Sequence, residues 1–430
     1  MDFSGSKTAL LQSEIDIMHG GHDDGVRSTN IQASFTLFKV FVGSGILALP
    51  LTFARVGFGL AIVGMITSAS LAYYCMSLAL QVVNDTKNRG TLSLQALVGK
   101  IAGLAAKRSV EVSLIIMQLG VGVAILIFAS QFLDYVLCGL EMEQYCGNKI
   151  FIGGFVALFV IPLSFITNMH YFYYPSLMAT FFIFANVVMQ LYYNFDKMRS
   201  VDPDILYARM KEFHIEELPK FFGVATYAYE GIGVIFSVRS SMQNPSNFKN
   251  VLRIQMLIIT FLYSFFPGTS ELAFGEETQE IILFNLPISN RICLFIQSLY
   301  VLAQLFGFPV QLVPVFGILE NSGIKKYLFD KEGKPKNLFL RFGLRVVLIL
   351  FMLFIALMTK SLNDFLNLLG SCVFVYLGYL VPIAVYHMHF RKRASKLYTV
   401  FNIFAFPVSL VLGGIGVVLS LKQMINPEEL

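Results

Sequence analysis

Lys39-Val40-Phe41-Val42-Gly43-Ser44-Gly45-Ile46-Leu47-Ala48-Leu49-Pro50 reads as the middle of a membrane helix that is built to break. Glycine in a helix interior costs about 1 kcal/mol relative to alanine, and proline about 3. Two glycines around a serine, with a proline shortly after, therefore invite the backbone to unwind. In a bilayer, unwound backbone must be satisfied by protein, water or ligand. A second interrupted stretch follows much later, Thr226-Tyr227-Ala228-Tyr229-Glu230-Gly231-Ile232-Gly233-Val234. Either one alone reads equally well as a small-residue packing contact between helices. As a pair, their meaning depends on where they fall among the spans.

The chain has 430 residues, of which 56% are hydrophobic and only 14% charged. Soluble domains carry about 25% charged residues, so this composition needs lipid rather than water around much of its surface. A spanning helix takes about 20 apolar residues. Eleven such segments are expected, at 31–54, 57–83, 108–138, 149–168, 171–194, 219–240, 250–273, 288–319, 338–359, 363–388 and 397–421. Residues 92–107 read as a short amphipathic helix at the interface. The two breaks then fall in the first and sixth spans. That placement predicts two inverted five-helix repeats, 31–194 and 219–388, followed by one extra helix, 397–421. The transmembrane domain as a whole is 31–430. Broken helices at matching places in two repeats point to a central transport site.

Helix ends supply the chemistry. The half-helix starting near Gly43, Ser44, Gly45 and Ile46 presents free N–H groups and the positive end of its dipole, which suit a carboxylate. Unwound carbonyls from Tyr227 to Gly231 suit an ammonium. A free amino acid carries both groups. Lys39 and Glu230 are charged residues set beside the breaks, where a charge costs several kcal/mol unless paired or hydrated. Glu230 either carries or gates a transported proton, or caps the unwound backbone. Lys39 either stands in for a sodium ion, pairing with carbonyls of the break, or is a snorkelling anchor at the interface.

Lysines and arginines gather in alternate loops, with Lys325 to Arg341 in one and Arg391 to Lys396 in the next on the same side. The positive-inside rule then places the N-terminus in the cytosol. Residues 1–30 are polar and lack an apolar core, so they read as a disordered cytosolic tail rather than a signal peptide, His19 and His22 included. Of the five cysteines, Cys75, Cys293 and Cys372 sit in apolar runs and read as buried packing residues. Cys138 and Cys146 flank a short loop and are a candidate disulfide pair if that loop is lumenal, the alternative being two free thiols. Asn363 and Asp364 read as capping the tenth span. No C-x-x-C, G-x-x-x-x-G-K-[ST], H-E-x-x-H or nucleophile elbow is present. The reading is therefore of a protein that is not an enzyme, with no metal, no cofactor and no nucleic-acid partner. Its ligands are free amino acids, protons and the lipid bilayer; no protein partner is indicated.

At these residues the sequence resembles a known family. Lys39-x-Phe41-Val42-Gly43-x-Gly45-x-Leu47-x-Leu49-Pro50-x-x-Phe53 and Tyr229-Glu230-Gly231-Ile232-Gly233 are similar to motifs of the amino acid/auxin permease superfamily. So are Met242-x-x-Pro245-x-x-Phe248, Gln118-x-Gly120 and Phe274-Gly275. Within that superfamily the chain resembles the proton-coupled amino-acid transporters and the fungal vacuolar neutral amino-acid transporters. The resemblance implies an all-α integral membrane fold of the leucine-transporter type. It also implies transport of small neutral amino acids, proton-linked, across a vacuolar or lysosomal membrane rather than the plasma membrane. The substrate site implied comprises Gly43, Ser44, Gly45, Ile46, Thr226, Tyr227, Tyr229, Gly231 and Gly233, with walls from the third and eighth spans. Four positions depart from the pattern. Thr36 stands where animal proton-coupled members carry histidine, and Lys39 where sodium-coupled relatives carry asparagine. Arg239 replaces an acid, and Ile125 a tyrosine. An amino-acid sensor with little flux, or a carrier of another small solute such as a polyamine, is the alternative reading.

Overall fold

The computed structural model describes residues 28–43, 45–86, 93–142, 144–165, 173–320 and 338–425. The regular elements among them are helices. The first span is α1 (Asn30–Phe41) and α2 (Gly45–Val56), bent by 57° at the glycines. Then come α3 (Phe58–Asp85), α4 (Leu94–Gly139), α5 (Lys149–Ser164), α6 (Tyr173–Ser200) and the short α7 (Pro203–Lys211). The sixth span is α8 (Leu218–Ala228) and α9 (Ile232–Ser241), followed by α10 (Phe248–Phe274), α11 (Arg291–Glu320) and α12 (Leu338–Met358). The last two are α13 (Leu362–Phe390), which widens into π-helix over Gly370–Phe374 and Tyr376–Leu380, and α14 (Lys396–Ile425).

Among the described residues, seven helical stretches are long and apolar enough to cross a bilayer, and the bent α1–α2 pair makes eight. The expected count of eleven is not reached on length and apolarity. α5 and Phe342–Met358 are shorter apolar helices, and α6 carries three buried amides, Asn186, Gln190 and Asn194. α4 consists of two helical pieces, 94–102 and 104–139, parted at Gly103, whose non-helical backbone has a φ of 87° that suits glycine. A short helix thus precedes the third span as expected, ending near 102 rather than 107. Between the expected fifth and sixth spans, residues 195–218 hold further regular structure. α6 continues to Ser200, and Asp202 caps α7 by accepting from the Asp204 amide. The tail at 1–27 and the 166–172 junction between the fourth and fifth spans lie outside the described residues.

The chain divides into two compact units, and each expected repeat contributes to both. One unit contains Gln118–Asn186 and Ile288–Lys360. Here Gly153 lets α5 close on Leu357 of α12, and Gly122 lets α4 close on Phe308 and Met352. Arg345 is buried, donates to the Ser164 carbonyl at 2.9 Å and lies 4.3 Å over the Phe316 ring. It thereby satisfies a carbonyl at the C-terminal end of α5 that the helix itself leaves open. Cys138 and Cys146 are joined, with their Cα atoms 4.9 Å apart. Asp134, the third member of this cluster, accepts from the Gly147 amide at 2.7 Å.

The other unit contains Arg27–Met117, Val187–Pro287 and Ser361–Leu430. It holds both halves of both broken spans. The halves pair off, α1 with α9 and α2 with α8, while α10 lies along α1, α2 and α3. α13 and α14 close on α8. Cys372 is exposed rather than buried, because the neighbouring Ser371 is the residue that α13 turns inward, onto Asn367. His389, at the end of the same helix, meets the Asp85 carboxylate at 2.7 Å.

Candidate functional site

The backbone of the first span leaves the helix after Phe41. The Val42 amide still reaches the Phe38 carbonyl at 2.9 Å, and the Gly43 amide turns to Phe41 at 2.9 Å. The helix resumes at Gly45, while Ser44 lies outside the described residues. The Phe41 carbonyl, left without its helical donor, accepts from the Tyr263 hydroxyl of α10 at 2.5 Å. Gly45 sits on the ring of Tyr227, which a Cβ would approach to 3.2 Å. Ile46 is fully buried beside it.

The second break mirrors the first. α8 stops at Ala228, the Glu230 amide bonds back to Tyr227 at 3.3 Å, and α9 begins at Ile232. Gly231 packs under Phe41, and a Cβ there would meet the phenyl ring at 2.6 Å. Gly45 against Tyr227 and Gly231 against Phe41 are reciprocal contacts, so the two breaks touch through their own glycines. Around them the Tyr229 and Tyr263 rings lie 5.5 Å apart, tilted by 54°, and Tyr227 lies 5.0 Å from Phe374 of α13. Thr226 bonds within its own helix, to the Phe222 carbonyl. A small cavity, with room for about one water molecule, opens here. It is lined by Ala72, Met76, Thr226, Tyr229, Glu230, Gly231, Ile232, Phe374, Gly378 and Tyr379.

Glu230 folds onto the start of α9. Its Oε1 accepts from the Gly233 amide at 3.3 Å, and the Ile232 amide also donates to the carboxylate. The carboxylate thus satisfies orphan donors at a helix N-terminus, where a negative charge is favoured. Gly233 itself faces the Met117 methyl. Lys39 is in the last turn of α1 and exposed. No bond from its ammonium to the carbonyls of the break is among those of the described residues; Tyr263 occupies the Phe41 carbonyl instead. Thr36 spends its hydroxyl on the Gln32 carbonyl of its own helix, at 2.9 Å.

Three further residues support the site, and the sequence reading assigned two of them, Tyr263 and Glu280, no role. Asn363, expected as a helix cap, does not cap its own helix but donates to Ala48 and Thr52 of α2, each at 3.0 Å. The cap of α13 is Ser361, which accepts from the Asp364 amide at 3.2 Å. The third is Glu280, in the loop after α10. It accepts from the Leu362 amide at 3.3 Å beside the Arg55–Asp364 ion pair, whose atoms are 3.8 Å apart. The available signal was a polar side chain among apolar neighbours; which helix it would meet was not in the sequence.

Burial holds the Glu280 carboxyl above the ordinary carboxylate range, and Asp364 adds to the rise. The Ser361 hydroxyl, the Leu362 amide and Arg55 act the other way. A group raised in the folded state stabilises the fold fully below its unfolded pKa and loses that contribution as pH climbs through the folded value. The melting temperature is therefore expected to fall as pH rises above the ordinary glutamate value of about 4.3, and Glu280→Gln is expected to flatten that fall. A melting profile across pH that Glu280→Gln leaves unchanged would contradict this.

A family model described as "Transmembrane amino acid transporter protein" matches residues 26–426. "Vacuolar amino acid transporter 4" of Saccharomyces cerevisiae is 29% identical over 377 residues, covering 80% of this chain and 51% of the relative. "Amino acid transporter AVT3A" of Arabidopsis thaliana is 24% identical over 400 residues, covering 91% of this chain and 89% of the relative. The chain spans about half the length of the first curated relatives it matches. Among solved structures, MhsT in complex with L-phenylalanine superposes with a TM-score of 0.55 at 10% identity, covering 90% of this chain and 97% of that one. That likeness is one of fold, the leucine-transporter fold that the family resemblance implied. The matched family and relatives are multi-pass membrane transporters and not enzymes.

Proposed function

The chain belongs to the transmembrane amino acid transporter family, and from that premise we propose that it is a secondary transporter. It moves small neutral amino acids across a vacuolar-type membrane, coupled to protons, by alternating access, with its N-terminus in the cytosol. The observation that carries the reading is the reciprocal contact of the two breaks, Gly45 on Tyr227 and Gly231 on Phe41. It places helix ends of opposite polarity side by side. Glu230 already covers the N-terminal amides of α9, whereas α2 has no acidic residue in its first turn. A substrate carboxylate is therefore assigned to the start of α2, at Gly45 and Ile46, with Gly43 on its approach; Ser44, which lies outside the described residues, keeps the role that the family resemblance implies. The ammonium is assigned to carbonyls of the sixth-span break, between Tyr227 and Gly231. Tyr229, Thr226 and Gly233 shape the surroundings. The cavity is too small for an amino acid in this conformation, which fits a site that opens and closes during the cycle.

Uptake of labelled neutral amino acids into proteoliposomes, with and without a pH gradient and without sodium, tests this directly. Accumulation that requires the pH gradient is expected. Equilibration without accumulation would retain the carrier and discard proton coupling. No flux of any neutral amino acid by folded protein would discard transport.

A further inference from the structure

α10 carries an acid that the site described above does not use. Glu271 is one helical stretch beyond Tyr263, inside the membrane segment, and fully buried. Neither of its carboxylate oxygens has a hydrogen-bond partner among the described residues. Its neighbours in the chain are well served. Asn194 of α6 donates to Ser270 at 2.9 Å and to Thr269 at 3.2 Å, and Gln190 donates to Asn194 at 3.0 Å. A buried polar network that satisfies Thr269 and Ser270 but leaves the adjacent carboxyl open is not built to hold a permanent anion. An ionised carboxylate without a partner in such a place costs several kcal/mol, and an ionisable residue at that depth marks a functional site by default.

The charges acting on Glu271 come from the surface helix α7 and its exit. Arg209 is the cation and Glu212 the anion. Arg209 does not bond Glu271. Its Nη1 donates to the Leu272 carbonyl at 2.7 Å, and its guanidinium lies against Gly275. At Gly275 φ is +54° and any Cβ would strike the guanidinium, so glycine keeps this berth open. Glu276 and Glu277, just beyond, are exposed, and Lys197 of α6 is engaged by Glu277 at 3.7 Å. Arg209 is thus the cation one residue away from the carboxyl, parked on a backbone oxygen.

We propose that Glu271 is a proton-binding site of this protein, with Arg209 as the cation that takes over its carboxylate when the proton leaves. With the proton bound, Glu271 is neutral and Arg209 rests on Leu272. When the proton passes to water, the carboxylate keeps the electron pair and draws the guanidinium from the Leu272 carbonyl. That exchange ties proton occupancy to the position of α7 on the end of α10. Use of this proton in transport rests on the proton-coupled reading above.

Infrared difference spectra of the full chain in lipid, recorded across a pH titration, read the proton itself. The unaltered protein is expected to show a protonated-carboxyl band that vanishes on titration and is missing from Glu271→Gln. Arg209→Gln is expected to keep the band but move the pH at which it vanishes. An unchanged band in Glu271→Gln overturns the site, and an unmoved titration in Arg209→Gln overturns the part given to Arg209. In proteoliposomes, Glu271→Gln is expected to keep substrate exchange at equal pH and to lose at least tenfold in gradient-driven accumulation. Undiminished accumulation in Glu271→Gln overturns the transport role. If the unaltered protein shows the band but no gradient-driven accumulation, proton coupling fails and the proton site stands.

Discussion

Gly370→Val is expected to yield protein that does not fold, or that melts far below the unaltered chain. The first π-helical segment of α13 crosses α8 with no side chain between the two backbones. A Cβ on Gly370 would land on the carbonyl of Gly223, and one on Gly223 would land on Asn367 and Ser371. α14 is bound into the same joint. Gly413 and Gly416 lie against Ser371, and Asn367 donates to Ser420 at 2.6 Å. Extra methyl groups in a packed core cost about 1–3 kcal/mol where side chains can shift. Here the obstacle is backbone, which has no rotamer to escape to, so at least the upper end of that range is expected. Gly414→Ala, on the same helix as Gly413 but facing open space, is the matched control and is expected to melt normally. Thermal melting of both variants in detergent decides the matter. A Gly370→Val protein as stable as the control would mean that the α8–α13 joint is not close-packed.

Glu230→Ala and Glu230→Gln are expected to part company. Alanine leaves the Gly233 and Ile232 amides at the head of α9 without their acceptor, in a place where water is scarce. Each orphaned donor costs about 1–3 kcal/mol, enough to lower substrate exchange by about tenfold or more. Glutamine keeps an acceptor oxygen at the same reach and is expected to retain most of the exchange. The comparison weighs capping against charge. Equal loss in both variants, measured as counterflow at equal pH, would show that the negative charge of Glu230 is needed and that capping alone does not account for it. Retained exchange in Glu230→Ala would show that the break is held without it.

The breaks themselves were legible because glycine and proline write backbone conformation locally. Gly43, Gly45 and Pro50 in one span, and Gly231 and Gly233 in the other, needed no partner to be read. The family motifs rest on the same residues. Glu230 was legible as an important charge, with capping of the unwound backbone as one of its two readings; that it takes the Ile232 and Gly233 amides of the following helix was not. Glu271 carries the same local mark, an acid inside an apolar segment long enough to span. Tyr263 and Asn363 are different. A tyrosine or asparagine in an apolar helix has no mark that tells it will serve the Phe41 carbonyl or the Ala48 carbonyl of another helix.

The sequence by itself determined that the chain lies in a membrane, that it is helical, and where its first and sixth spans break. These follow from apolar run length and from glycine and proline, which act over a few neighbouring residues. Only the tertiary structure decided that Gly45 faces Tyr227 while Gly231 faces Phe41. It alone placed Arg55 beside Asp364 and Glu280, set Gly223 against Gly370, and left the Glu271 carboxyl buried without a hydrogen-bond partner among the described residues. Such contacts join residues far apart in the chain. They depend on helix rotation and depth, to which hydropathy, a sum over side chains, is blind.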